Sequence, residues 1–217
     1  MDGIVRHAIR AAGEILLTAG VVGLLFIGYL IWGTGLRSAS AQRALTRELN
    51  QQWQRTRGRG DATGASQEQF DVATGQPFAF IRIPAFGKQW RFTLIQGTAL
   101  AQLNVSPGHV PGTQWPGQLG NFAVAGHRVT AGNPFWSLPS VQDGDLVYIE
   151  TRRNYYTYRV IGKKWVPPTD TAVLDPVPGH PRQRPARHLI TLITCDPAWT
   201  GTHRVIVTGV LVAARSR

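Results

Sequence analysis

Ile15 to Trp32, ILLTAGVVGLLFIGYLIW, is a run of eighteen residues without a charge. As a helix it would extend about 27 Å, close to the hydrocarbon thickness of a bilayer. Tyr29 and Trp32 stand at one end, where amphipathic rings favour the membrane interface. The run predicts one transmembrane segment over 15–32, after a short basic segment over 1–14. Arg6 and Arg10 precede it and Ala39-Ser40-Ala41 has the A-x-A form of a cleavage site, so a removed signal peptide is the competing reading. The apolar run is longer than the usual core of a signal peptide, and an uncleaved signal anchor is therefore expected. Basic residues lie on both sides, with Arg37, Arg43 and Arg47 following, so charge alone leaves the orientation open.

Beyond the segment the composition changes twice. Ala41 to Trp53 consists of good helix formers with Leu45, Leu49 and Trp53 at i, i+4 and i+8, which predicts a short juxtamembrane helix. Arg55 to Gly75 is Gly, Thr, Ser, Gln and Arg with almost nothing apolar, and reads as a flexible spacer. Helix and spacer together occupy 33–75, and a folded domain is expected over 76–217. Strand signals separated by turn residues then recur at Phe78–Pro84, Gln89–Gln96, Asn121–Arg128, Asp145–Thr151, Tyr155–Val166, His188–Cys195 and His203–Val212. Seven or eight strands in about 140 residues, with no long helical period, predict an all-β barrel or sandwich.

The chain carries 23 Lys and Arg against 12 Asp and Glu, a formal charge of +11. Such a balance suits anionic surroundings but does not choose among them. Only Arg152-Arg153, beside Tyr155 and Tyr156, has the interleaving of cation and aromatic that single-stranded nucleic acid would need, so no nucleic-acid partner is expected.

Chemistry converges on the single cysteine. Cys195 ends the apolar run HLITLITC, and Asp196-Pro197 stops the strand, so the thiol is predicted at a strand mouth where the scaffold fixes the backbone. With no second cysteine an intrachain disulfide is excluded; a buried, inert thiol remains the alternative. His127 closes another apolar run, NFAVAGH, and its imidazole can accept or return a proton near neutral pH. Arg204 opens the last strand signal shortly after the Asp196-Pro197 turn, where pairing beside Cys195 would let it stabilise a thiolate or a developing oxyanion.

The motifs Pro111-Gly112-Thr113, Pro116-Gly117, Gly120-Asn121, Ala125-Gly126-His127-Arg128, Pro134-Phe135, Gly144-Asp145, Thr191-Leu192-Ile193-Thr194-Cys195-Asp196-Pro197 and Arg204 resemble the sortase family of cysteine transpeptidases, and most closely its class E. The resemblance covers about Phe78 to Val212. It implies an eight-stranded sortase-like β-barrel with short helices, a catalytic triad of Cys195, His127 and Arg204, and no cofactor or metal. Thr194 and Ala131 are expected to contact substrate; at Ala131 class E members often carry tyrosine. The implied function is membrane-anchored thiol-protease and transpeptidase chemistry outside the cell. A sorting signal of the Leu-Ala-x-Thr-Gly or Leu-Pro-x-Thr-Gly type is cut between Thr and Gly, and the acyl group passes to a cell-wall amine. Hydrolysis without transfer, pilus polymerisation and a non-catalytic binding module are the alternatives. No acidic cluster of a calcium-stimulated kind is present; Asp143, Asp145 and Glu150 suit a turn and a strand.

Overall fold

In the computed structural model, the described residues are 2–29, 34–56 and 68–217. The last residues of the expected membrane segment, 30–32, and most of the expected spacer, 57–67, lie outside them. Helix α1, Asp2–Gly28, contains the stretch Val5–Gly28 with mean hydropathy 1.9 and none of it buried, so among the described residues one helix, at the N-terminus, is long and apolar enough to cross a membrane.

Helix α2 runs Thr34–Thr56, longer at both ends than the expected 41–53. Its apolar stripe is not left to solvent. Leu49 and Trp53 are buried with Phe80, whose ring meets Trp53 edge-on at 5.3 Å. Gln42 uses its whole amide: Nε2 donates to the Val105 carbonyl and to Ser106 Oγ, and Oε1 accepts from the Thr93 N–H. The helix is thus packed onto the domain by both apolar and polar contacts.

The domain is a closed barrel of eight strands: β1 Pro77–Arg82, β2 Phe92–Gln96, β3 Gly108–His109, β4 Gly120–Ala125, β5 Leu146–Glu150, β6 Asn154–Val166, β7 His188–Asp196 and β8 His203–Ser216. Around the barrel the order is β1-β2-β3-β4-β7-β8-β6-β5, and β5 closes on β1. The β4–β7 pair is parallel, and the long connection between them carries β5 and β6 to the far wall. Alternate residues fill the interior: Ile81, Leu94, Phe122, Val124, Val147, Ile149, Tyr158, Ile190, Leu192, Val205 and Val207 are all buried in one cluster.

Seven strands follow the sequence signals, with ends displaced by a few residues. The eighth, β3, has only two residues and follows Pro107, so it gives no alternating pattern; His109 is buried in this strand. Its ring is held by Gln96 Oε1 at 2.6 Å and by Thr113 and Gln114. A correction concerns β4, which stops at Ala125 instead of continuing to Arg128. A Cβ on Gly126 would lie 2.8 Å from the Phe135 ring, so only glycine lets the chain pass this close as it leaves the strand. The loop that follows is closed by Phe135 N–H donating to the His127 carbonyl, and it turns through positive φ at Ala131, Gly132 and Asn133.

Candidate active site

Three strands position the expected triad. Parallel pairing sets Ala123 beside Thr191 and Ala125 beside Ile193, and Gly126 N–H still donates to the Ile193 carbonyl at 3.1 Å. The chain past β4 therefore continues alongside β7, which brings His127 level with Cys195. Two further contacts hold this stretch: Thr194 Oγ1 donates to the Gly126 carbonyl at 2.8 Å, and Arg128 forms an ion pair with Asp196. On the other side of β7, antiparallel β8 places Arg204 directly opposite Cys195. Directly opposed residues share a sheet face. Phe122, Val124 and Leu192 fill the core, so Ala123, Ala125, Ile193 and Cys195 lie on the outer face of the β4–β7 pair.

The loop between β7 and β8 folds back over this point. A Cβ added to Gly201 would stand 3.8 Å from Cys195 Sγ and 4.0 Å from Arg204 Nη1, so thiol and guanidinium border one small space. Arg204 Nη1 donates to the carbonyls of Gly201 at 2.8 Å and His203 at 3.0 Å, which uses both of its hydrogens and fixes the guanidinium plane. Among the described residues, nothing takes the Nε and Nη2 hydrogens.

The connection from β6 to β7, with a 3-10 turn at Thr171–Leu174, forms a wall over this outer face. Asn121, fully buried on the outer face of β4, secures it by donating from Nδ2 to the carbonyls of Val173 and Asp175, while its Oδ1 accepts from Thr191. Val166, Val173 and Ile206 form a small apolar cluster beneath that wall.

His127 is half-buried, and burial lowers its pKa from 6.5, so the neutral ring is favoured. Its Nε2 lies 3.2 Å from Asn104 Oδ1. Asn104 closes the one-turn helix α3, Leu100–Leu103, and gave no sequence signal because its contact is 23 residues away. The nearby carboxylate does not play this part. Asp196 has one oxygen on Arg128 and the other on the Trp165 indole N–H at 2.9 Å.

The two residues expected to contact substrate are both buried. Thr194 is 2% exposed with its hydroxyl donated to the Gly126 carbonyl, so it braces the end of β4 against β7. Ala131 is 5% exposed in the left-handed region, beside Gly132, where a Cβ would come to 2.7 Å from Ser38 Oγ of α2.

Comparison with known proteins agrees with this geometry. Residues 81–212 match the sortase domain family. The chain is 33% identical to Sortase SrtE1 of Streptomyces coelicolor over 97% of its own length, and it spans 59% of that relative. Among solved structures, sortase E from Streptomyces avermitilis superposes with a TM-score of 0.60 at 38% identity, covering 67% of this chain and 93% of that one. Sortase E1 from Streptomyces coelicolor, solved with a tripeptide in the active site, gives 0.62 at 33% identity over 67% and 94%.

Proposed function

The chain belongs to the sortase family and resembles its class E members, and from that premise we propose that it is a membrane-anchored transpeptidase with Cys195, His127 and Arg204 as its catalytic residues. The observation that supports this reading is the pairing of β7 with both β4 and β8, which sets Arg204 opposite Cys195 and runs the end of β4, just before His127, alongside the same strand. The substrate is a peptide sorting signal of the Leu-Ala-x-Thr-Gly or Leu-Pro-x-Thr-Gly type. α1 supplies the anchor, and the barrel acts outside the cell on secreted proteins that carry the signal, passing them to an amine of a cell-wall precursor.

The steps follow from the groups present. The Cys195 thiol gives its proton to neutral His127, the thiolate attacks the threonine carbonyl, and the oxyanion that forms meets the Nε and Nη2 edge of Arg204, the edge left open by the tether through Nη1. The C–N bond to glycine then breaks, and the leaving amine takes a proton from His127. Asn104 Oδ1 can only accept, so Nε2 keeps its hydrogen and Nδ1 is the nitrogen that exchanges the proton. The thioester is resolved when an incoming amine gives its proton to neutral His127 and attacks the acyl carbon, returning the thiolate.

Peptides of both types, incubated with the full chain with and without an acceptor amine, test the reading by mass spectrometry of the products. Cleavage between Thr and Gly with transfer to the amine, absent in Cys195→Ala, is the expected result. Cleavage that yields only the free acid at saturating amine would overturn the transfer step, and full activity in Cys195→Ala would overturn the nucleophile.

A further inference from the structure

The wall of the barrel opposite the Cys195 groove carries an organised cationic hollow. Cross-strand pairing aligns Phe80, Glu150, Tyr155 and Arg215 in one row and Arg82, Tyr148 and Thr157 in the next. Ile81, Ile149 and Tyr156, which alternate with them, are buried in the core, so both rows face outward. Between them is a hollow of about 310 Å³, with Arg82, Arg91 and Arg215 on its rim and Glu150 as its one carboxylate.

Each guanidinium is laid on a ring. Arg82 lies 4.6 Å from the Tyr148 centroid, Arg91 3.5 Å from that of Phe80 and Arg215 4.6 Å from that of Tyr155. Stacking holds the planes in place while leaving N–H edges free, the arrangement that recognises planar or tetrahedral oxyanions with little further ordering. Glu150 is already engaged by Arg91 at 3.1 Å and by Arg217 at 3.2 Å. Among the described residues, Arg82 and Arg215 have no carboxylate partner. Three guanidiniums against one carboxylate leave two positive charges in excess around one hollow.

We propose that this hollow is a second binding site, for a ligand bearing a phosphomonoester or oligophosphate group. A phosphomonoester carries about −1.5 to −2 charge at neutral pH, which matches the excess, whereas a single carboxylate leaves about half of it uncompensated. In the closed order β1 and β5 lie across the barrel from β4 and β7, so this site is separate from the Cys195 groove and independent of the reaction proposed there. The phosphate can belong to a soluble molecule or to a lipid headgroup.

The test uses the full chain in phosphatidylcholine nanodiscs, titrated with tripolyphosphate by calorimetry. Saturable binding is expected, weaker for citrate, and at least about tenfold weaker in the Arg82→Gln/Arg215→Gln double variant, because each charge-assisted hydrogen bond lost is worth at least that factor. Both residues are exposed, and retained peptide cleavage serves as the folding control. Repeating the titration in nanodiscs that contain phosphatidic acid separates the sources: a weaker apparent affinity identifies the headgroup as the ligand, an unchanged one a soluble phosphate. Absence of saturable binding in both lipids, binding untouched by the double substitution, or equal binding of citrate overturns the proposal.

Discussion

Replacing Arg204 by lysine and by alanine separates two ways in which a cation can serve Cys195. The guanidinium spends Nη1 on the carbonyls of Gly201 and His203, which leaves the Nε and Nη2 edge as a planar pair of donors. Lysine keeps the charge but has one nitrogen, so it can satisfy the loop carbonyls or reach the substrate, and it offers no fork. An oxyanion donor is typically worth about 2.7–4 kcal/mol, equivalent to roughly a hundredfold to a thousandfold in kcat. Both substitutions are therefore expected to lose at least about a hundredfold, with lysine close to alanine. The assay is transpeptidation of a fluorogenic sorting-signal peptide, with circular dichroism to confirm folding. A lysine variant that retains more than about a tenth of the wild-type kcat has lost under about 1.4 kcal/mol, too little for a missing donor pair, and would refute the fork in favour of charge alone.

Asn104→Ala removes the acceptor that orients His127, and a neutral hydrogen bond of about 0.5–1.5 kcal/mol predicts a loss of roughly twofold to tenfold in kcat/KM with the thermal midpoint unchanged. A midpoint that falls in step with activity would make Asn104 a structural residue only. His109 is 1% exposed and burial is the largest influence on it, lowering its pKa from 6.5 to about 4 against the opposing carbonyls of Gln114 and Thr113. The unfolded chain thus binds this proton from pH 6.5 downward while the fold refuses it until about 4, so stability is lost as pH falls through that window, by roughly 3 kcal/mol in all. Thermal melts from pH 7 to 4 should show the loss, and His109→Gln should flatten it. Leu49→Ala, at a fully buried position of α2, is expected to cost about 2–5 kcal/mol; a change near zero would mean that α2 contributes nothing to the fold.

The sequence carried the strands that alternate, and with them the barrel, because a half-buried strand must repeat every two residues. β3 escaped notice for the same reason: two residues cannot display a period. Cys195 and Arg204 were legible as neighbours since a short turn between two strand signals forces antiparallel pairing, and the register then sets them opposite each other. His127 was legible only as a residue type at a strand end; the run of that strand alongside the cysteine strand is a parallel pairing between segments far apart in the chain, which no local pattern encodes. For Thr194 and Ala131, nearness in sequence to a reactive residue does not say which side of a strand or loop a side chain takes. Thr194 alternates with Cys195 and so points away from the groove.

The helix expected as a short juxtamembrane element is joined to the candidate site by direct contacts. Ser38 of α2 lies under Gly132, in the loop that leaves His127, and Gln42 grips Thr93, Val105 and Ser106, the last two immediately beyond Asn104. Asn104 in turn meets the His127 ring. Both supports of the imidazole, the backbone that follows it and the amide that orients it, therefore rest on the first half of α2. Few residues separate that half from the end of α1 at Gly28, so a chain that lost α2 would lose the bracing of His127 as well as its tie to α1. This accounts physically for a helix of mean polar character being packed so firmly onto the barrel. Its apolar stripe of Leu49 and Trp53 supplies burial at one end, and the Gln42 amide fixes the register at the other, where a shift of one residue would leave Thr93 and Ser106 without their partner.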